Sequence, residues 1–271
     1  MPELPEVETT CSGIRPHLLG QTIVKVQVRN RQLRWPVPIN IDKKLQNTQV
    51  LGVERRGKYI LLQATSGTTL IHLGMSGSLR MVNASLPPEK HDHVDIILSN
   101  GDALRLRDPR RFGSVLWAGE HPLQHKLLAA LGPEPLGDEF TGEYLFNRSR
   151  KRKQSIKTFI MDGHVVVGVG NIYASESLFL AGIHPKRAAG ITSAKRYDLL
   201  ASSIKTILSS AIESGGTTLR DFVNGEGEPG YFSQELAVYG RADEPCLSCN
   251  KPVRHITLGQ RSTFYCPACQ K

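Results

Sequence analysis

Up to about Trp117 the chain has short runs that either alternate apolar and polar residues, as residues 24–28 do, or are rich in β-forming residues, and both patterns predict short β-strands. The segments that predict strands are residues 24–28, 58–62, 69–73, 93–98 and 103–107. Asn100-Gly101, a dipeptide typical of tight hairpin turns, separates the last two. The pattern predicts an antiparallel β-sandwich in this half of the chain.

A helix is predicted ahead of the strands, from Pro5 to Leu19, with Gly20 as its stop. It would hold the N-terminus beside the sheets. Pro2 then has two interpretations. It is an ordinary proline near the start of a helix, or, once Met1 is removed, it is a secondary amine with a pKa of about 7.7–8.0, low enough to act as a nucleophile near neutral pH.

The character of the chain changes after a segment rich in glycine and proline. We expect a sandwich domain over residues 2–131, a hinge over 132–142, a helical domain over 143–236 and a zinc finger over 237–271. In the helical part, Gly168-Val169-Gly170-Asn171 precedes an apolar helix. Asn171 is available there as a helix N-cap or as a phosphate donor, although such turns are often purely structural.

The C-terminus carries the strongest local motif. Cys246 and Cys249 form one C-x-x-C pair, Cys266 and Cys269 form a second, and sixteen residues separate the pairs. This spacing is typical of four-cysteine zinc sites, which are closed and structural. Two disulfides are the alternative. The residues between the pairs predict a hairpin whose tip carries Arg261.

A net charge of +9 favours a polyanionic partner. Six cations and no acid lie within residues 148–157, and four arginines lie within 105–111. Each run is either a solvated face or a phosphate-binding surface, and together they favour nucleic acid. No long apolar run or basic-then-apolar N-terminus is present, so we expect no membrane span or secretory signal and a cytosolic location.

Taken in order along the chain, these motifs resemble the formamidopyrimidine-DNA glycosylase family of bacterial base-excision enzymes. The resemblance spans essentially the whole chain and rests on five segments: residues 2–8 (PELPEVE), 90–93 (KHDH), 108–113 (DPRRFG), 168–173 (GVGNIY) and the cysteine ribbon. It implies an α+β fold: an antiparallel β-sandwich with an N-terminal helix, then a helical domain with a helix-two-turn-helix and a β-hairpin zinc ribbon.

The resemblance also implies an activity. The family excises oxidised purines, such as 8-oxoguanine and formamidopyrimidines, from double-stranded DNA, and cleaves abasic sites as a lyase by β- and δ-elimination. It implies one structural Zn²⁺, a monomer and a place in the bacterial cytosol. Because a stacked base is out of reach, the damaged nucleotide has to be extruded at a cost of a few kcal/mol.

Matched residue by residue, the resemblance implies the following roles. Pro2 is the nucleophile, Glu3 the acid/base group, Lys58 the residue that assists β-elimination, and Arg261 the residue of δ-elimination. Met75 and Phe112 are wedges that fill the gap left by the extruded base, and Arg110 bonds to the orphaned cytosine; sandwich core is the alternative for the two wedges. The remaining implied DNA contacts are His72, His91, Arg152, Lys157 and Asn171, the pocket residues are Glu6 and Arg220, and a mobile loop covers residues 217–231.

Three alternatives stay open on the residues alone. An endonuclease VIII-type enzyme shares the chemistry but prefers oxidised pyrimidines, and Leu4 with the set Met75, Arg110 and Phe112 argues against it. A non-enzymatic zinc-ribbon DNA-binding protein would need neither a free Pro2 amine nor Glu3. His91 and His93, on either side of Asp92, also have the spacing of a metal pair, although such clusters are usually structural.

Overall fold

The computed structural model describes residues 2–215 and 236–271. The described chain divides into two compact units: residues 2–129 with residues 214–215 form the first, and residues 130–213 with residues 236–271 form the second. The hinge expected over 132–142 stays a prediction. Arg220 and the expected loop over 217–231 lie outside the described residues.

The first unit is a β-sandwich preceded by a helix. Its strands are all antiparallel and follow the order β5-β7-β6-β1-β2-β3-β4-β8. β1 and β2 pair over two residues, which divides the strands into two layers of four. This confirms the predicted sandwich. The elements are α1 (Leu4–Leu18), β1 (Thr22–Val28), α2 (Ile41–Leu45), β2 (Thr48–Arg56), β3 (Tyr59–Ala64), β4 (Gly67–His72), β5 (Ser78–Asn83), β6 (Asp92–Leu98), β7 (Asp102–Arg107) and β8 (Ser114–Gly119).

One apolar core joins α1 to both layers. α1 contributes Val7, Cys11, Ile14 and Leu18, all fully buried and spaced as one face of a helix. Gly20 ends the helix region with a φ of +77°, as the sequence predicts. Burial raises the pKa of the Cys11 thiol to about 12, so this cysteine is an inert part of the core.

The second unit begins with four helices and ends with a hairpin. Residues 161–170 connect α4 to α5 through consecutive turns, which gives the predicted helix-two-turn-helix. The elements are α3 (Gly142–Ser149), α4 (Ile156–Ile160), α5 (Asn171–Leu180), α6 (Ala194–Glu213), β9 (Arg254–Leu258) and β10 (Arg261–Tyr265). No helix in the described ranges is both long enough and apolar enough to cross a bilayer.

Candidate active site and nucleic-acid interface

The N-terminus is built into the first unit. Pro2 is buried, and Glu3, only 2% exposed, is the N-cap residue of α1. The N–H of Glu3 donates to Oε2 of Glu6 at 2.7 Å, and the Glu3 carboxylate accepts from the N–H of Glu6 in return. This capping box satisfies two helix N–H groups and fixes the direction in which the chain enters the helix. The residue before it, Pro2, is therefore presented from a rigid support.

Lys58 and His72 lie near one another at the ends of adjacent strands. Lys58 occupies the β2–β3 turn after Gly57, whose φ is +58°. His72 ends β4 directly opposite Tyr59, with the two ring centroids 4.9 Å apart. Burial, with the positive charges of Lys58 and Arg34, lowers the pKa of His72 to about 4. His72 is therefore neutral at physiological pH.

The tautomer of His72 follows from one hydrogen bond. The N–H of Gly74 donates to Nδ1 of His72 at 3.0 Å, so Nδ1 carries no proton. The proton is then on Nε2. His72 is equipped to donate one neutral hydrogen bond to an anion, rather than to attract it as a cation.

The loops that carry Met75 and Phe112 are in backbone contact. Gly74 has a φ of +66°, and a Cβ there would fall 2.4 Å from both the Gly113 nitrogen and the Phe112 carbonyl carbon. Phe112 is 44% exposed, with the Arg110 guanidinium 4.9 Å from its ring centroid. Met75 is half-buried, and neither apolar side chain belongs to the core cluster. The sandwich-core alternative for these two residues is therefore wrong.

Two residues of these loops were missed by the sequence reasoning. Asp108 is fully buried and accepts hydrogen bonds from the Gly113 N–H and the Ser76 hydroxyl. Asp108 begins the segment 108–113 (DPRRFG), and Ser76 lies between Gly74 and Gly77. A polar residue in a short loop bounded by glycine was the sequence signal that could have identified both residues.

His91 and His93 have different surroundings. His91 is half-buried in the loop before β6, whereas His93 is buried and its Nε2 lies 2.8 Å from the carbonyl oxygen of Asp108. Across residues 2–215 and 236–271, the four ribbon cysteines form the one metal-type cluster of three or more ligands. Nothing in this geometry supports a metal site at the two histidines.

The arginine run 105–111 is divided between two tasks. Arg105 is 2% exposed and binds Asp95 through two hydrogen bonds of 2.8 and 2.9 Å. Arg107 pairs with Glu89. Arg110 and Arg111 are exposed. The expectation that the whole run meets phosphate is wrong for Arg105, because the pairing of β6 with β7 places an aspartate directly opposite it.

The basic run 148–157 is divided in a similar way. Lys151, Arg152 and Lys153 are exposed, which leaves their charges available to a polyanion. Arg150 instead lies over the Phe146 ring at 3.8 Å and donates to the carbonyl oxygen of Thr192 at 2.9 Å. Arg150 therefore stabilises the end of α3 and is engaged within the protein.

Lys157 is 1% exposed and is the centre of a polar network in the second unit. Its ammonium donates to Asn171 Oδ1 at 2.7 Å, Thr263 Oγ1 at 2.8 Å and the Ser262 carbonyl at 3.1 Å. The side-chain N–H₂ of Asn171 donates to the same Ser262 carbonyl at 2.9 Å. The network ties α4 and α5 to the strand that begins with Arg261. Because Gly170 is the N-cap of α5, the N-cap alternative for Asn171 is wrong.

A second buried anchor leads towards the ribbon. Glu176 of α5 is 3% exposed, and its carboxylate accepts three consecutive backbone N–H groups, from Ala237, Val238 and Tyr239, at 2.8–3.0 Å. Burial raises the pKa of Glu176 although these donors oppose the shift. The sequence reasoning missed this residue, whose signal was that it is the one charged residue of α5.

The four cysteines fit one zinc ion. Their sulfur atoms all lie within 4.8 Å of one another, with Cys249 to Cys266 at 3.4 Å and Cys246 to Cys269 at 3.9 Å. A tetrahedral site with Zn–S bonds of about 2.3 Å separates its sulfurs by about 3.8 Å. All four are free thiols, so the disulfide alternative is wrong. The ribbon holds one structural Zn²⁺, and no ligand position is left for catalysis.

Arg261 lies at the end of the hairpin that the zinc site supports. Gly259 and Gln260 form its turn with φ values of +53° and +60°, the signature of a type I′ turn. Arg261 is exposed, directly after the turn and paired with Leu258. The hairpin therefore presents a cation to solvent.

A sandwich whose first helix is capped by Glu3 directly after a buried Pro2, a helix-two-turn-helix and a four-cysteine ribbon together define a zinc-ribbon DNA glycosylase. Family models match all three parts: the formamidopyrimidine-DNA glycosylase N-terminal domain over residues 1–115, its H2TH domain over 131–223, and a zinc finger found in FPG and IleRS over 243–271. The chain belongs to the formamidopyrimidine-DNA glycosylase family. It is a DNA glycosylase of base excision repair that acts on oxidised purines.

Similar proteins cover the full length. The formamidopyrimidine-DNA glycosylases of Stutzerimonas stutzeri and Saccharophagus degradans are 60% and 59% identical over 271 residues, which is 100% of each chain. The crystal structure of MutM (Fpg) from Thermus thermophilus is 36% identical with a TM-score of 0.89, covering 99% of this chain and 98% of that one. A Lactococcus lactis Fpg bound to DNA containing an abasic site is 32% identical with a TM-score of 0.92, covering 99% of each chain.

Proposed function

We propose that excision proceeds through the amine of Pro2. Its nitrogen bonds to C1′ of the damaged nucleotide while the bond from C1′ to the base breaks, and opening of the sugar leaves a Schiff base between protein and DNA. β- and δ-elimination then break the strand on either side of that sugar. The observation that carries this proposal is the buried, capped start of α1, which holds the residue after Met1 in a fixed position.

The acid/base role in this proposal belongs to Glu3. Its carboxylate lies one residue from the nucleophile and is held by the capping box. A positioned carboxyl group is what proton transfer to the leaving base or the sugar oxygen requires. Glu6, its capping partner, is assigned to the lesion pocket with Arg220.

Positioning of DNA falls to groups in both units. In the first unit, neutral His72 donates one hydrogen bond to phosphate, Lys58 supplies charge and assists β-elimination, and His91 adds a further contact. Met75 and Phe112 fill the gap in the duplex, and Arg110 pairs with the orphaned cytosine. In the second unit, Arg152 and Asn171 contribute to phosphate binding, buried Lys157 contributes indirectly by holding Asn171 at 2.7 Å, and Arg261 acts in δ-elimination. The bacterial relatives support a cytosolic location.

Borohydride trapping tests the nucleophile. Wild type, with removal of Met1 verified by intact mass, is expected to form a covalent adduct with an 8-oxoguanine duplex when borohydride is added. Pro2→Gly, which leaves a less rigid primary amine, is expected to form much less adduct with 8-oxoguanine DNA, while Pro36→Gly, a change at an exposed proline, forms as much as wild type. Glu3→Gln is expected to fail on 8-oxoguanine but to trap on an abasic site, because no base has to leave there.

Four results would contradict the proposal. Equal trapping by wild type and Pro2→Gly would show that the secondary amine of proline is not required, and equal trapping by protein that retains Met1 would exclude Pro2 as the nucleophile. No trapping by wild type would favour a protein that only binds DNA. A duplex with an oxidised pyrimidine trapped faster than the 8-oxoguanine duplex would favour the endonuclease VIII type of specificity.

A further inference from the structure

We propose that Asp108 is a positioning residue that holds Met75, Arg110 and Phe112 in the arrangement needed to fill the gap left by an extruded base. The inference rests on the proposed function of those three residues. Asp108 itself is 0% exposed, so its carboxylate acts through its neighbours and not by touching DNA.

The carboxylate of Asp108 joins two loops. Its Oδ2 accepts the N–H of Gly113 at 2.7 Å, in the loop that carries Phe112. Its Oδ1 accepts the hydroxyl of Ser76 at 3.2 Å, in the loop that carries Met75. One side chain therefore fixes the distance between the two wedges.

The backbone of Asp108 fixes a third element. Its N–H donates to the His91 carbonyl at 3.0 Å, and its carbonyl oxygen lies 2.8 Å from Nε2 of His93. The same carbonyl accepts the N–H of Arg111 at 3.2 Å, which closes the turn that contains Arg110. Arg111 has a φ of +57°, a conformation that a residue with a side chain adopts only when its surroundings hold it.

The two loops are packed too closely to adjust. A Cβ on Gly113 would lie 2.9 Å from Oδ2 of Asp108 and 2.7 Å from the carbonyl oxygen of His72. With Gly74 also against the Phe112–Gly113 backbone, the wedges stand on a base that is rigid before DNA arrives. Preorganisation of this kind matters most for a substrate whose base has to be extruded, and least for an abasic site.

The test compares two substrates. Asp108→Ala removes both acceptors, and we expect excision of 8-oxoguanine opposite cytosine to fall about ten- to hundredfold, the effect of losing hydrogen bonds to a charged group. Cleavage of an abasic site should change by less than about threefold. The preference for cytosine over adenine opposite the lesion should also weaken, because Arg110 is no longer held.

A conservative variant separates position from charge. Asp108→Asn keeps the shape, accepts from Gly113 and donates to the Ser76 hydroxyl, so it should stay within about threefold of wild type. Ser76→Ala breaks the link to the Met75 loop alone and should show a smaller loss of the same selective kind. Asp102→Ala and Ser85→Ala, in other loops and strands of the unit, are the matched controls.

Several outcomes would overturn the inference: full excision by Asp108→Ala, equal loss on both substrates, or Asp108→Asn as defective as Asp108→Ala. If Asp108→Ala does not fold, Ser76→Ala decides, because unselective or absent loss in that variant overturns the inference. Failure of the proposed function looks different. In that case Met75→Ala and Phe112→Ala leave excision by the otherwise wild-type protein unchanged.

Discussion

The start of α1 and the zinc hairpin both present a proposed reactive residue, but they are held by different forces. α1 buries Val7, Cys11, Ile14 and Leu18 in the core that joins both sandwich layers. The buried cluster of the ribbon is much smaller and consists of Val238, Val253 and two of the zinc-binding cysteines. Pro2 is therefore supported by apolar packing, and Arg261 by a metal and a polar network.

This difference follows from size. A sandwich layer with a helix buries enough apolar surface to offset the loss of chain entropy, whereas a ribbon of some thirty residues does not. Metal binding then becomes the folding free energy of the ribbon. A mutation in the apolar core around α1 should accordingly leave the zinc ribbon folded, and loss of zinc should leave α1 folded. Both expectations can be tested.

Loss of zinc should have the largest effect. Cys249→Ser, or removal of the metal by a chelator, should unfold the hairpin and weaken binding to duplex DNA by at least about 100-fold, because structural zinc contributes on the order of 10 kcal/mol to such folds. Metal analysis, fluorescence anisotropy with a labelled duplex and amide hydrogen exchange measure it. The hydrogen exchange of α1 should not change.

The matched control for zinc loss is Cys11→Ser, which removes a cysteine from the core of the first unit. It should keep the full zinc content and the protection of the hairpin. Faster hydrogen exchange in α1 after zinc removal would contradict this prediction, because the core that holds α1 would then depend on the zinc site.

A cavity in the α1 core should have the next largest effect. Ile14 is fully buried, and Ile14→Ala should lower the free energy of unfolding of the first unit by about 2–5 kcal/mol, the usual cost of an unfilled cavity. Denaturant unfolding measures it, with zinc content as the second readout. Ile39→Ala, at a residue 84% exposed, should change stability by less than about 0.5 kcal/mol.

Two results would limit this conclusion. An Ile14→Ala protein that loses zinc would show that the ribbon depends on the first unit. A protein with unchanged stability would show that the start of α1 is held by its capping box and not by its apolar face.

The apolar supports could be predicted from the sequence, and the polar ones could not. The apolar face of α1 and the strands β6 and β7 are each predicted by a pattern among residues close together in the sequence. β2 was missed because a bulge between Val50 and Gly52 shifts its register and breaks the period of two. Arg105 was misjudged because its partner, Asp95, meets it only through the pairing of two strands.

The same limit applies to the site. Cysteine spacing predicts a zinc site because the ligands define their own geometry. Lys157 lies among five other cations in its run, and nothing local shows that it is buried against Asn171 and the hairpin. Its three acceptors lie 14 to 106 residues away along the chain.

Lys157 provides the smallest of the three tests and examines the polar part of the hairpin's support. Lys157→Met keeps the volume but leaves the acceptors on Asn171 and Thr263 without the lysine donor, at a net cost of about 1–3 kcal/mol. The hydroxyl of Thr263 also donates to the Arg261 carbonyl at 3.2 Å. Loss of the lysine donor should therefore loosen the backbone at Arg261, the proposed residue of δ-elimination. We expect the product of β-elimination to accumulate while zinc content and 8-oxoguanine excision persist. Gel analysis of the cleaved strand measures the product ratio, and Lys195→Met, on the exposed face of α6, is the control. An unchanged product ratio would mean that zinc alone positions Arg261. The buried ammonium of Lys157 would then stabilise the hairpin without orienting this arginine.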